Sequence, residues 1–338
     1  MARPGILAPD FFIALLASVF FLSCTNHSGE KKSGTPDPAS VTQKPALVPD
    51  FNADSAYLQI SRQVEFGPRV PETKAHEKCA AYLESKLKFY GLTVHVQQGV
   101  VVNYEGKKYH IKNIMGSFSP DVKTRILLCS HWDSRSIADQ DSVRKNEPID
   151  GADDGASGVG VLLELARELQ KSAPTVGVDV LFLDAEDTGQ PNDTEPEKHK
   201  EDAWCLGTQY WAQNLPAGYM PRFGILLDMV GAKNATFPME GHSMAFAGDI
   251  VNKVWGIASD LGFSNYFIYA KGGMITDDHY YINRNAKIPT IDILNYNPHG
   301  SEFGYYHHRH SDNMEIIDRN TLKAVGQTLV QLIYTESL

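Results

Sequence analysis

The chain has 338 residues, 42% of them apolar, and a formal net charge of −10. That length and apolar content suffice to bury a large core. The acidic balance, with no basic stripe and no basic patch interleaved with aromatics, argues against nucleic acid as a partner.

At the N-terminus, Arg3, the apolar stretch from Phe11 to Leu22 and the boundary Leu22-Ser23-Cys24 read as a targeting segment over residues 1–23. It is too short to span a membrane comfortably as a permanent helix. The Leu-Ser-Cys ending resembles a bacterial lipoprotein signal. That resemblance implies a lipidated Cys24, export to the cell envelope (periplasm or surface), and membrane contact through the anchor alone; plain secretion is the alternative. Residues 24–50, rich in Ser, Thr, Pro, Gly and Lys, read as a flexible tether, and residues 51–338 as one domain. Beyond Cys24 only Cys79, Cys129 and Cys205 remain, an odd number without C-x-x-C spacing. They indicate neither a disulfide framework nor a thiolate metal site, and leave open a single Cys79–Cys205 bridge.

Helical spacing of apolar residues runs from Asn52 to Val64 and from Thr73 to Tyr90. Two alternating strands follow, Leu92 to Val102 and Tyr109 to Phe118, with Glu105-Gly106 at the turn. Then come a strand Arg125 to Ser130, a helix Ser157 to Gln170 and a strand Val178 to Asp184. A polar insertion from Gly189 to Asp202 precedes a helix Trp204 to Asn214. Phe223 to Met229, Phe267 to Tyr269 and Thr290 to Leu294 read as strands, Ile250 to Leu261 and Thr321 to Tyr334 as helices, the last with Asn320 as N-cap. The alternation predicts an α/β fold, a mostly parallel mixed sheet flanked by helices on both faces.

Three strand ends carry acid or imidazole: His131-Trp132-Asp133, Asp184-Ala185-Glu186-Asp187, and Asp228. Open α/β sheets place their chemistry just beyond such ends. Gly151-Ala152-Asp153-Asp154-Gly155 leads into a helix, so the Asp154 carboxylate sits at the positive end of a helix, as a cap or as a cation ligand. Adjacent Glu186 and Asp187 point different ways, so one can ligate while the other handles protons. His307, His308 and His310 offer an imidazole, with Asp312 placed to orient one of them. Mixed oxygen and nitrogen ligands from separate elements suit zinc with one position open.

The ordered motifs H-W-D-S, G-A-D-D-G-A-S-G-V, L-F-L-D-A-E-D, L-L-D-M-V-G-A-K-N-A-T-F, T-D-D-H and H-x-x-x-D-N resemble the zinc aminopeptidase superfamily, specifically its glutaminyl cyclase branch. The resemblance covers roughly Phe51 to Leu338 and implies a zinc-exopeptidase-like fold. It implies one zinc held by Asp154, Asp187 and His308, with Glu186 as proton shuttle. His308 is chosen over its neighbours because it stands four residues before Asp312. Asp277, the extra acid of T-D-D-H, matches the cyclase residue that hydrogen-bonds the shuttle; with Asp228 it completes the implied catalytic set. The implied substrates are peptide or protein N-termini, whose glutamine would close to pyroglutamate with loss of ammonia.

Two other readings stand beside this one. A two-zinc aminopeptidase would use His131 and Asp228 as additional ligands, and a lipid-anchored binding protein would use the scaffold without catalysis. The chain departs from animal cyclases in the 189–202 insertion, in His307 where they carry tryptophan, and in Asp292 where they carry histidine. Trp132, Trp204 and His307 are the candidate substrate contacts.

Overall fold

The computed structural model describes residues 47–191, 193–299 and 302–337. The leader, Cys24 and the tether up to residue 46 lie outside the described residues.

Two helices come first, α1 (Ala53–Val64) and α2 (Lys74–Phe89), capped by Asn52 and Thr73. Strands β1 (Thr93–Val102) and β2 (Lys108–Phe118) form an antiparallel hairpin. β3 (Arg125–His131), α3 (Ala156–Lys171) and β4 (Gly177–Leu183) make a parallel crossover. α4 (Leu206–Gln213), β5 (Phe223–Asp228), β6 (Phe237–Met239), α5 (Gly241–Asp260), β7 (Phe267–Lys271), α6 (Asp278–Tyr281), β8 (Thr290–Leu294), the two-residue strands β9 (Tyr296–Asn297) and β10 (Glu302–Phe303), and α7 (Arg319–Thr335) follow. The main sheet runs β1-β2-β4-β3-β5-β8, with β4, β3, β5 and β8 parallel.

Each central strand is apolar on both sides because both faces are covered. Ile126, Leu128, Val178, Val180, Ile225 and Leu227 pack with residues of α1, α3, α5 and α7. The alternate residues Leu127, Cys129, Leu181, Leu183 and Leu226 meet Trp211 of α4 and Ile282. The chain leaves β3 for β4 on one side and returns to β5 on the other. The strand order therefore reverses beside β3, and a crevice opens at the carboxyl ends of β3 and β5.

All predicted elements are present, with four corrections. α4 begins at Leu206, not Trp204, because Cys205 takes a left-handed conformation with φ of +56°. α5 starts at Gly241, nine residues before Ile250, since Glu240 accepts the N–H groups of His242 and Ser243 and supplies an N-cap. α7 is capped by Asp318, whose side chain accepts from Asn320 N–H; Asn320 lies inside the helix. The segment Asp278–Ala286, a short α-turn running into a π-turn, carries no apolar period and was not expected as a helix. Cys79, Cys129 and Cys205 are all free and buried, so the Cys79–Cys205 bridge is absent.

α4 packs so closely on the end of β4 that a Cβ at Gly207 would lie 1.9 Å from the Asp184 carbonyl oxygen. Gly207→Ala is expected to cost about 1–3 kcal/mol of stability, measured as a fall in denaturation midpoint.

Candidate active site

Glu186 and Asp187 follow Ala185, which has φ of +52°. The buried Asp133 carboxylate beyond β3 accepts both following N–H groups, Glu186 at 3.1 Å and Asp187 at 3.2 Å. That bond pair ties the end of β3 to the end of β4 and sends the two acid side chains different ways. Asp184, the first acid of the run, turns away from the site. It is buried against His76 Nε2 at 2.8 Å and accepts Lys112 N–H at 2.7 Å.

The 151–155 turn is fixed from three sides. Arg69, fully buried, donates to the Trp132 carbonyl at 3.0 Å and the Gly151 carbonyl at 2.7 Å. Asp312 accepts the N–H groups of Asp153 at 2.7 Å and Asp154 at 3.1 Å. Asp153 in turn accepts Gly231 N–H and the Tyr306 hydroxyl, both at 2.6 Å. Gly155 has φ of +91°, and a Cβ there would come within 2.6 Å of the Asp133 carbonyl, so only glycine fits.

Asp154, Asp187 and His308 are brought together by these loops. His308 Nε2 lies 3.3 Å from Asp187 Oδ1 and 3.7 Å from Asp154 Oδ2. Its other nitrogen faces Asp139 at 3.3 Å. Against the upward push of burial, hydrogen bonds from His308 and Arg135 hold the Asp139 carboxyl well below its ordinary range. Asp139 therefore orients the imidazole, the task expected of Asp312, which instead holds the Asp153-Asp154 backbone. Arg135, buried against the Trp204 ring, donates to Asp187 Oδ1 at 3.2 Å.

The donor set fits a divalent cation. Asp187 Oδ2 is buried with no hydrogen-bond partner, a costly state that a metal relieves. Two carboxylates and one imidazole, with space beside them, match a catalytic zinc site. His307 also has a ligand atom within 4.8 Å of those of Asp154 and His308. A second group shares Asp154: His131 Nε2 is 3.1 Å from Asp154 Oδ1 and 3.2 Å from Asp228 Oδ1.

A cavity of about 300 Å³ opens over these residues, lined by Asp154, Glu186, Trp204, Asp228, Asp277, His307 and His308, with Met274, Ile275, Leu294 and Phe303 as apolar wall. Burial pushes the Glu186 carboxyl well above its ordinary range; His131 opposes this, while the charges of Asp277, Asp187 and Asp278 add to it. Trp204 and His307 face the cavity as expected. Trp132 does not: it is fully buried, stacks on His76 at 4.3 Å and donates to the Lys112 carbonyl. The strand-end rule located its backbone correctly, but its side chain belongs to the core beneath the site.

Sequence alone assigns no supporting role to Asp133, Asp153, Arg69, Arg135 or Asp139. Asp133 and Asp153 lie within the H-W-D-S and G-A-D-D-G-A-S-G-V motifs; the other three lie in loops without a pattern that marks them. Removing one of the two acceptor oxygens, as in Asp312→Asn, is expected to weaken zinc binding about 10- to 100-fold, measured by competition with a chelator.

The model of Peptidase family M28 matches residues 113–333. Among solved structures, a Zn-dependent exopeptidase from Parabacteroides distasonis and the glutaminyl cyclase of Tannerella forsythia are each 51% identical. Each has a TM-score of 0.83, and each match covers 86% of this chain and all of the other. The glutaminyl-peptide cyclotransferase of Bos taurus is 24% identical over 252 residues, which span 64% of this chain and 64% of the bovine protein. With the acidic strand ends, the carboxylate-rich turn and the late histidine in one crevice, these matches identify the chain as a member of Peptidase family M28.

Proposed function

We propose that the protein is a zinc-dependent glutaminyl-peptide cyclotransferase. It would convert N-terminal glutamine of peptides or proteins to pyroglutamate and release ammonia. The observation that carries this reading is the placement of Asp277 beside Glu186, their side-chain oxygens within one group spanning 4.8 Å, at the wall of the cavity. A carboxyl whose proton affinity is raised by burial and by neighbouring acids suits an acid/base that must take a proton and return it. The likeness to the Tannerella forsythia cyclase supports the same reading.

Asp154, Asp187 and His308 would hold one zinc, which when bound polarises the side-chain amide carbonyl of the substrate. Glu186 would accept the proton of the attacking α-amine and deliver it to the departing ammonia. Asp228 and Asp277, both at the cavity wall, would hold that amine and the shuttle in line. Ring closure is intramolecular, so a snug wall of Trp204, Phe303 and Ile275 accelerates it by restricting the glutamine side chain and excluding water.

The group formed by His131, Asp154 and Asp228 favours a second reading, a two-zinc aminopeptidase. We also propose the leader and Cys24 as a lipoprotein signal that exports the domain and anchors it to the cell envelope.

Product analysis separates the two activities. A glutaminyl peptide should yield the pyroglutamyl peptide and ammonia, while an aminoacyl anilide stays intact; anilide hydrolysis alone would reject the cyclase reading. E186Q is expected to retain zinc and lose about 10²- to 10⁴-fold in kcat, measured on that peptide with metal content determined in parallel.

A further inference from the structure

The shuttle carboxylate has a neighbour that neither the catalytic scheme nor the metal site uses. Cys205 Sγ lies 3.3 Å from Glu186 Oε1, and Glu186, Cys205 and Asp277 present side-chain atoms within 4.8 Å of one another. The thiol is fully buried at the turn before α4. Its backbone is bound to the same segment that its side chain touches: Cys205 N–H donates to the Glu186 carbonyl at 3.0 Å, and Leu206 N–H to the Ala185 carbonyl at 3.1 Å. Left-handed residues on both sides, Ala185 and Cys205, fix how the two turns face each other.

The chemistry of the three groups is unequal. Asp277 approaches as a second acid, with a buried Oδ2 that has no hydrogen-bond partner, so it can donate to Glu186 only while it carries a proton. Burial and then the nearby Glu186 charge push the Cys205 thiol well up, so it stays S–H. An apolar side chain in its place would remove this donor from Glu186 Oε1. A thiol is a weak donor, so it aims the carboxylate while lowering its basicity little.

We propose that Cys205 is a positioning residue for the acid/base: its S–H donates to Glu186 Oε1 and leaves Oε2 turned toward the amine of the bound substrate. This rests on Glu186 carrying the proton in the reaction proposed above.

Two measurements test it. Cys205→Ala is expected to lower kcat about tenfold with KM within about twofold and zinc content unchanged, and Cys205→Ser to recover most of the loss. Full kcat in Cys205→Ala, or a Cys205→Ser enzyme no better than it, would overturn the proposal. The second is infrared. The S–H stretch that disappears in Cys205→Ser is expected at the lowered, broadened position of a thiol bonded to a carboxylate, and to move up in E186Q. A band insensitive to E186Q would also overturn it. The infrared result does not need turnover, so a protein without cyclase activity would reject the proposed function while the band still decides where the Cys205 proton points.

Discussion

Two buried carboxylates that touch no substrate hold the site together. Asp133 accepts the N–H groups of Glu186 and Asp187, and Asp312 accepts those of Asp153 and Asp154. In each case the acid is fully buried, and a pair of successive backbone donors compensates its desolvation. In each case the second donor belongs to a residue with a carboxylate in the metal group. The positions of Asp154 and Asp187 thus follow from the register of β3 with β4 and from the docking of the C-terminal loop on the 151–155 turn, not from their own rotamers.

This arrangement concentrates negative charge. Glu186, Asp187, Asp228, Asp277, Asp278 and Asp292 crowd the carboxyl ends of the sheet, and several of their oxygens are buried without partners. Burial raises the proton affinity of Asp228 and Asp292 as it does that of Glu186, with neighbouring acids adding to the rise. Arg135 and His131 oppose it from within the site, and His279, between Glu240 at 2.9 Å and Asp292 at 3.5 Å, does so behind it. A divalent cation supplies the remaining positive charge and is therefore part of the electrostatic balance as well as of the chemistry. Functional sites of this kind are held at a cost in stability that the core of α3, β3 and β4 offsets.

The fold was readable because its strands are continuous apolar runs and its helices keep a 3.6-residue period, as in Val178 to Asp184 and Ser157 to Gln170. Element starts were less readable where a cap or a left-handed residue decides them: Glu240 before α5, Asp318 before α7 and Cys205 before α4 leave no apolar signature. At the site, the motif residues Asp154, Asp187, His308, His131 and Asp228 do converge. Direction was harder to read than position. Trp132 and Asp184 stand at strand ends beside site residues, yet their side chains turn into the core, where each meets His76. The supporting residues come from loops distant in sequence, such as Arg69 and Asp139, and a single chain offers no pattern that pairs them with the ligands.

One zinc is expected among Asp154, Asp187 and His308, with Glu186 outside its ligand shell. Anomalous scattering at the zinc edge, from crystals of the zinc-loaded protein, tests it directly. One strong peak is expected within bonding distance of those three side chains and away from Glu186. A comparable second peak between His131 and Asp228, or a zinc bound to Glu186, would contradict it.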